Sequence, residues 1–249
     1  MRSLLSLTTS LFIFSLAFSS PLNAQGITGF IFASYYECDV SLEPALDDAV
    51  MSGAAAVWDR HVESGDITQW GWNAHTIGGA WRRLQYFIAP DRASGLAAWT
   101  SVTEAMEKEA PGSVDLLNRA CSTHQDYIWS VLQTSQAQNA SSTSMPFTTA
   151  YYMCQQSRES EADEAFRSVW APILDDLVDE GHLTGWNWLA HDTGGFFRRA
   201  MSFFGSDHTS IMAARDELVN RLAGNEAAAA VGSACGSHSD YAWTPVTGG

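Results

Sequence analysis

Two stretches of this sequence repeat each other: ITQWGWNAHTIGGAWRR at residues 67–83 and LTGWNWLAHDTGGFFRR at residues 183–199. Nine of the seventeen positions are identical without a gap. They include two Trp, one His, a Gly pair and an Arg pair, which chance would rarely align. The chain therefore contains an internal duplication, and the two copies are expected to fold alike.

The duplication extends outward from these stretches. At the same offset of 116 residues, YYEC at residues 35–38 corresponds to YYMC at residues 151–154. At an offset of 114, CSTHQDY at residues 121–127 corresponds to CGSHSDY at residues 235–241. A stretch rich in Ser, Thr and Gln separates the copies, and this composition is typical of a linker. We therefore expect a first domain at residues 25–132, a linker at 133–146 and a second domain at 147–249.

The N-terminus has the layout of a secretory signal peptide. Arg2 carries the only early charge, an apolar run covers residues 4–18, and small residues lead to a cleavage site after Ala24. The apolar run is shorter than the roughly 20 residues that cross a membrane. We expect residues 1–24 to be removed from a secreted or periplasmic protein without a membrane anchor; an uncleaved N-terminal anchor is the alternative.

The chain is strongly acidic, with 28 Asp and Glu against 13 Lys and Arg and a formal net charge of −15. An acidic surface repels the phosphate backbone of nucleic acids, so a nucleic-acid partner is not expected. The acidity itself is explained by solubility. The oligomeric state does not follow from the composition.

Each copy is predicted to contain strand, helix, strand, strand, helix and strand, in that order. In the first copy the strands are expected at residues 30–38, 67–75, 81–88 and 127–132, which are rich in aromatic and β-branched residues. Alternation along the second strand places Trp70 and Trp72 on one face and His75 on the other.

Polar residues and glycines predict where the helices begin and end. Ser41 is expected to cap the first helix and Gly65 to end it. Asp91 and its counterpart Asp207 are expected to cap the second helix of each copy. In the second copy, the first helix has one apolar stripe, formed by Phe166, Val169, Trp170, Ile173, Leu174 and Leu177.

The order βαββαβ defines an α+β fold, the ferredoxin-like unit, whose antiparallel sheet has the strand order 4-1-3-2. In that sheet the end of strand 1 lies beside the start of strand 4. Cys38 and Cys121 occupy these two positions, and the second copy repeats them. We therefore predict the disulfides Cys38–Cys121 and Cys154–Cys235, with metal-binding thiols as the alternative.

With this topology, the chain resembles the dimeric α+β-barrel superfamily, in which two ferredoxin-like units pack sheet to sheet around a central cavity. The resemblance covers nearly all of the sequence after the signal peptide, at the level of topology, and no catalytic motif of a member is matched. It implies that the tandem copies supply both halves of one barrel. Pairing of each copy with a copy from another molecule is the alternative. Members include small monooxygenases, haem-using enzymes, lactone isomerases and proteins without known activity.

The topology predicts that polar residues shared by both copies gather at one end of each sheet. In the first copy they are Cys38, His75, Gly78, Gly79, Arg82, Arg83, Cys121, His124 and Asp126. In the second copy they are Cys154, His191, Gly194, Gly195, Arg198, Arg199, Cys235, His238 and Asp240. The Gly pair is most simply a turn that requires positive φ, and a ligand-binding role is the alternative.

From this cluster, the candidate catalytic residues are His75, His191, Arg82, Arg83, Arg198 and Arg199. The histidines are suited to be general bases or axial haem ligands, or else buried side chains bonded to a backbone carbonyl. Alternation sends one arginine of each pair to each face of the sheet. One arginine could then bind a carboxylate or an enolate-like oxygen in the central cavity, or form a structural ion pair with Asp126.

The candidate ligand-binding residues are Trp70, Trp72, Trp186, Trp188, His124, His238, Asp126 and Asp240. The tryptophans are expected to line a ligand cavity or to fill the core, and the histidines beside the disulfides could instead brace a loop. No metal site is expected, because one copy offers at most two His and one Asp without HxH or HxxxH spacing.

These observations support three functions. The first is a barrel that binds a small organic molecule, and acts on it if it is an enzyme, in a cavity between the sheets that opens at the His–Arg end. The second is a non-enzymatic extracellular binding or assembly module, with a filled space between the sheets. The third is a barrel that binds haem non-covalently, since the haem-attachment motif CxxCH does not occur.

Overall fold

The structure is a computed structural model that describes residues 28–137 and 143–249. The predicted signal peptide and part of the predicted linker lie outside these residues. In the first copy the strands are β1 Phe30–Cys38, β2 Gln69–Ile77, β3 Arg83–Ala89 and β4 Cys121–Gln136. The helices are α1 Glu43–Ala49, α2 Ala55–Glu63, α3 Arg92–Glu109 and α4 Pro111–Ala120. The π-helical segment Val50–Ala54 joins α1 to α2 without a break.

The second copy repeats this order of elements. Its strands are β5 Phe147–Met153, β6 Gly185–Gly194, β7 Arg199–Phe204 and β8 Ser237–Gly248. Its helices are α5 Glu159–Ala165, α6 Ala171–Asp179, α7 His208–Leu222 and α8 Ala229–Ala234, with a short 3₁₀ helix, Gln156–Arg158, before α5. The π-helical segment Phe166–Trp170 joins α5 to α6 at the position equivalent to that in the first copy.

The eight strands form one closed antiparallel barrel in the order β1-β3-β2-β8-β5-β7-β6-β4. Within each copy the strand order is 4-1-3-2, as predicted. The copies join at both edges, because β2 pairs with β8 and β4 pairs with β6. The predicted barrel formed within one chain is therefore confirmed. Within the described residues, no helix is both long and apolar enough to cross a membrane.

Both predicted disulfides are present, Cys38–Cys121 and Cys154–Cys235. Cys38 and Cys121 are partners in the register of β1 and β4, which is the adjacency predicted from the topology. Each disulfide closes a loop of about 80 residues, a constraint on the unfolded chain worth roughly 4 to 5 kcal/mol in the chain-entropy model.

The ends of several elements differ from the predictions. Ser41 does not cap α1; its backbone N–H and its hydroxyl both donate to Asp39, and the helix begins at Glu43 without a side-chain cap. Asp91 and Asp207 do cap α3 and α7, and each side chain accepts from a backbone N–H. The fourth strand is longer than predicted at both ends, because it pairs with β1 from Cys121 and with β6 of the other copy as far as Gln136.

The interior of the barrel is filled by aromatic side chains from both copies. Six of them meet at the end of the barrel that holds the Gly-Gly turns: Tyr35, Trp81, Tyr127, Tyr151, Phe197 and Tyr241. The Tyr35 and Trp81 rings stack with centroids 4.2 Å apart, and the Trp81 and Tyr241 rings with centroids 4.8 Å apart. Among the described residues, the barrel interior keeps a small cavity of about 50 Å³, lined by residues such as Ile31, Leu84 and Phe204. The predicted deep cavity between the sheets is therefore wrong.

The Gly-Gly turns explain why this end of the barrel is closed. Gly78 has a φ of +146°, so the predicted need for positive φ is confirmed there. At Gly79 the reason for glycine is different: a Cβ would lie 2.4 Å from the Tyr241 hydroxyl oxygen. In the second copy, Gly195 meets Tyr127 in the same way. Each copy therefore covers the Gly-Gly turn of the other with a tyrosine.

Candidate ligand cavity

The predicted His–Arg cluster forms, but its polar groups bond to one another. The Arg82 guanidinium donates from Nε to Glu43 Oε1 at 2.7 Å and from Nη1 to His75 Nδ1 at 2.7 Å. Arg83 donates from Nε and Nη2 to both carboxylate oxygens of Asp47, at 2.8 and 2.7 Å. Its Nη1 lies 3.1 Å from Glu43 Oε2, so Glu43 pairs with both arginines.

The second copy contains the same cluster. Arg198 bonds to Glu159 and to His191 Nδ1, and Arg199 bonds to Asp163 and Glu159. The carboxylates were not among the predicted site residues. The internal repeat could have identified them, because at an offset of 116 Glu43 corresponds to Glu159 and Asp47 to Asp163.

The bonding of His75 determines what this side chain can do. Since an arginine only donates, Nδ1 must accept, and the ring is neutral with its proton on Nε2. The Nε2 atom is buried; among the described residues it makes no hydrogen bond of good geometry, and the backbone of Gly78 is the polar group nearest to bonding it. Burial, followed by the nearby charge of Arg82, lowers the pKa of His75 below its ordinary value. The neutral ring therefore holds the arginine in place, and its free nitrogen does not face an open cavity.

The arginines are not placed to bind a ligand. Both direct their guanidinium groups toward carboxylates of the helix layer, and neither lines the space between the sheets. Neither pairs with Asp126, whose partners are Ser34 and His124. Pairing of an arginine with Asp126 was therefore a wrong expectation. In this structure the His–Arg cluster ties the end of the sheet to the first helix of each copy.

The four predicted tryptophans lie on the helix-facing side of the sheets. The indole N–H groups of Trp70 and Trp72 donate to Asp59 and Asp47, both at 2.8 Å. The equivalent indoles of Trp186 and Trp188 donate to Asp175 and Asp163 in the same way. All four side chains are buried, and Trp70 and Trp72 of the first copy together line a space beneath the helices.

That space is a cavity of about 230 Å³ between the sheet of the first copy and its helices, which we call the sheet–helix cavity. Six aromatic side chains line it: Tyr36, Trp58, Trp70, Trp72, Phe87 and Trp99. Val50 and Ala54 of the π-helical segment lie on the helix side, together with residues of α3 and α4. Extra turns of this kind occur frequently at functional sites.

Ser34 and Gln85 line the sheet–helix cavity and belong to one transverse row of the sheet, which Asp126 extends beyond the cavity. The register places Asp126, Ser34, Gln85 and Trp72 side by side on β4, β1, β3 and β2. Ser34 donates to Asp126 Oδ1 at 2.6 Å, and Gln85 donates to the carbonyl of Tyr86 at 3.1 Å. We call these four residues the polar row. Burial raises the pKa of the neighbouring Tyr36 to about 12, so its phenol is neutral.

Among the described residues, the second copy fills the equivalent space with side chains and lacks the polar row. The equivalent row reads Asp240, Ala150, Met201 and Trp188, so the two central polar residues are replaced by apolar ones. Phe166 and Trp170 replace Val50 and Ala54 and fill the space between helix and sheet. Asp240 bonds to Arg215 at 3.1 Å, where the first copy has Trp99.

The residues present do not fit haem. The lining of the sheet–helix cavity contains no His or Cys. The predicted axial ligands, His75 and His191, both accept from arginine at Nδ1 and have a buried Nε2. The cavity volume of about 230 Å³ is also below the roughly 300 Å³ at which pockets for drug-sized ligands begin. Among the described residues there is also no group of three or more His, Cys, Asp or Glu placed to hold a metal ion.

Solved structures with this architecture place the chain in a fold class. A candidate monooxygenase from Lactobacillus acidophilus superposes with a TM-score of 0.59 at 6% identity, over 88% of this chain and 94% of that chain. An anthrone oxidase-like protein gives a TM-score of 0.55 at 10% identity, over 88% and 92% of the two chains. The fold is that of a dimeric α+β barrel. In this chain the barrel is formed by two copies joined in tandem.

A third structure with the dimeric α+β barrel shows that the likeness extends to proteins of different activity. Chlorite dismutase from Candidatus Nitrospira defluvii has a TM-score of 0.54 at 7% identity, over 87% of this chain and 91% of that chain. No protein-family model and no curated protein sequence matches this chain. The function must therefore be argued from the site itself.

Proposed function

We propose that the protein binds a small, flat, mostly apolar organic molecule in the sheet–helix cavity of its first copy. One observation supports this most strongly: the same framework is filled in the second copy by Phe166 and Trp170 and open in the first. Filling the space stabilises a domain, because burying apolar surface is favourable and empty volume is costly. An aromatic cavity retained in only one of two related copies is therefore typical of a binding site.

The size and lining of the cavity indicate the class of ligand. A cavity of about 150 Å³ lined by apolar side chains binds benzene in another protein. The sheet–helix cavity, at about 230 Å³, is suited to a molecule of two fused rings. Aromatic neighbours at stacking or edge-to-face distances add about 0.5 to 1.5 kcal/mol per pair beyond simple burial. The net charge of −15 disfavours an anionic ligand.

Secretion is part of the same proposal. Structural disulfides persist in oxidising compartments such as the periplasm and the extracellular space. The two disulfides of the described residues are consistent with such a location, as is the signal-like N-terminal sequence. A secreted binding protein would meet its ligand outside the cytoplasm.

Calorimetric titration of 1-naphthol into the oxidised protein tests the proposal. The matched variant Val50→Phe with Ala54→Trp introduces the side chains of the second copy and should fill the cavity. We expect the unmodified protein to bind one naphthol per chain and the filled variant to bind at least ten-fold more weakly, with a melting temperature that is unchanged or higher. Equal binding by both proteins, or no binding by the unmodified protein, would contradict the proposal.

A further inference from the structure

Most polar groups of the sheet–helix cavity are arranged as hydrogen-bond acceptors, and the neutral Tyr36 phenol, which lies within reach of Ser34, is the exception. A hydroxyl group has one proton, and Ser34 donates that proton to Asp126 Oδ1 at 2.6 Å. The Ser34 oxygen has two lone pairs: the neighbouring Tyr36 phenol lies within hydrogen-bonding reach of one, and the other is open to a further donor. The negative charge of Asp126 strengthens this tendency, because consecutive hydrogen bonds polarise one another.

Two further hydroxyl groups of the lining also donate their protons within the protein. Thr103 donates to the Trp99 carbonyl at 2.8 Å, and Ser113 donates to the Ala49 carbonyl at 2.8 Å. Each hydroxyl donates its only proton to a backbone carbonyl and can therefore only accept from a ligand. The lining also includes the carboxylate of Glu107, which accepts when ionised.

Gln85 completes the pattern beside Ser34, its partner in the register of β1 and β3. Its amide nitrogen donates to the Tyr86 carbonyl at 3.1 Å, which fixes the orientation of the carboxamide. In the part of the chain that the structure describes, its carbonyl oxygen has no hydrogen-bond donor. The indole N–H groups of Trp70 and Trp72 are directed to Asp59 and Asp47 of the helices.

We infer that the sheet–helix cavity selects an uncharged aromatic molecule that carries a hydroxyl group, and that this hydroxyl donates to Ser34. The inference rests on the proposed function and adds the ligand class. The ligand hydroxyl, the Ser34 hydroxyl and the Asp126 carboxylate would form one chain of hydrogen bonds, each donating to the next. No covalent step is involved. An ether of the same shape, or an anion, leaves the buried acceptors without a partner and is rejected.

The second copy supplies the comparison that supports this role for Ser34. There the position of Ser34 is occupied by Ala150, and Asp240 pairs with Arg215 instead. The chain of hydrogen bonds is therefore present only in the copy that has the cavity. A purely structural Ser–Asp bond would be expected in both copies, because the two sheets have the same register.

Equilibrium dialysis with three ligands tests the inference: 1-naphthol, 1-methoxynaphthalene and naphthalene. 1-Methoxynaphthalene lacks the hydroxyl donor and is larger than naphthol. Naphthalene also lacks the hydroxyl donor but is smaller than naphthol. We expect naphthol to bind at least ten-fold more tightly than either. The variant Ser34→Ala introduces the residue of the second copy. Its affinities for the three ligands should agree within about three-fold. Its affinities for 1-methoxynaphthalene and naphthalene should equal those of the unmodified protein.

Asp126→Asn and its control Asp240→Asn separate the role of the carboxylate from a general effect of charge. We expect the preference for naphthol to fall several-fold in the first variant and to stay unchanged in the second, with thermal unfolding confirming that each is folded. Equal binding of all three ligands by the unmodified protein, or a preference that survives Ser34→Ala, would overturn the inference but leave the proposed function standing. Failure of all three ligands to bind would overturn both.

Discussion

The ring of Phe166 stacks on the indole of Trp188, with 4.4 Å between ring centroids and 8° between planes. This contact occupies the space that stays open above Trp72 in the first copy, where Val50 replaces the phenylalanine. A π-helical segment presents both residues to the sheet from the same position. A change of side chain on an unchanged backbone element thus decides whether the cavity exists.

The first prediction is that the second copy can be opened by the reverse exchange. Phe166→Val with Trp170→Ala should lower the free energy of unfolding by about 3 to 5 kcal/mol, because it removes well-packed buried rings. Urea denaturation measures this loss. The new cavity should bind naphthalene and naphthol equally, since Ala150 and Met201 offer no acceptor. A loss below 1 kcal/mol would show that the two rings do not fill the space.

The second prediction concerns the Gly-Gly turns that close the end of the barrel. Gly79→Ala should destabilise the protein by about 1 to 3 kcal/mol, because the added Cβ would lie 2.4 Å from the Tyr241 hydroxyl oxygen and force a shift in a packed interior. Tyr241→Phe in the same molecule should recover part of the loss. Gly112→Ala is the control, because a Cβ there meets no atom within 4 Å. A loss that Tyr241→Phe does not reduce would refute the contact as its cause.

The third prediction is that the His–Arg cluster stabilises the fold without contributing to binding. Glu43→Gln leaves the buried Arg83 with a weakened ion pair and should cost about 3 to 5 kcal/mol of unfolding free energy. Glu159→Gln, the same change in the second copy, should cost a similar amount. Naphthol affinity should be unchanged in both variants once they are folded. A selective loss of binding in Glu43→Gln would instead assign the cluster to the site.

The fourth prediction is a dependence of stability on pH. The folded pKa of His75 is lowered from an ordinary value of 6.5, so the unfolded chain binds this proton more readily than the folded one. The stability that the neutral His75 ring contributes is fully present above about pH 6.5, and it is lost as the pH falls through the pKa of His75 in the folded protein. Burial raises the pKa of Glu43, but its bonds to Arg82 and Arg83 outweigh this and lower it, so its contribution is lost only below about pH 4.5.

Urea denaturation at pH 7.5 and 5.5 separates these two groups. The unmodified protein should lose stability between these values, and His75→Gln should lose less, because glutamine does not titrate and still accepts from Arg82. An equal loss in both proteins would show that this histidine is not responsible for the change.

Much of the fold could be predicted from the repeat, because the order of elements and the adjacency of Cys38 and Cys121 follow from local patterns. Shared residues such as His75 and Arg82 proved to be bonded to each other, as their convergence suggested. Their partner Glu43 was not predicted, since one carboxylate on an acidic helix has no distinctive local pattern. Only the comparison with Glu159 at the same offset reveals it.

The cavity could not be predicted from shared residues, because it depends on where the copies differ. Val50 and Ala54 are ordinary helix residues until the second copy shows Phe166 and Trp170 in their places. The filled barrel interior was one of two alternatives that the sequence left open. Trp81 lies two residues after Gly79, and its ring stacks inside the barrel on Tyr241 of the other copy. Such contacts between distant segments have no signal in local sequence.

A crystal structure of the oxidised protein with 1-naphthol bound tests the sheet–helix cavity most directly as the ligand site. We expect one naphthol per chain, between the sheet and the helices of the first copy, with its rings beside Trp72 and Phe87 and its hydroxyl oxygen within 3.2 Å of Ser34 Oγ. Naphthol found inside the barrel, at the His–Arg cluster or in the second copy, with the sheet–helix cavity empty, would contradict the account.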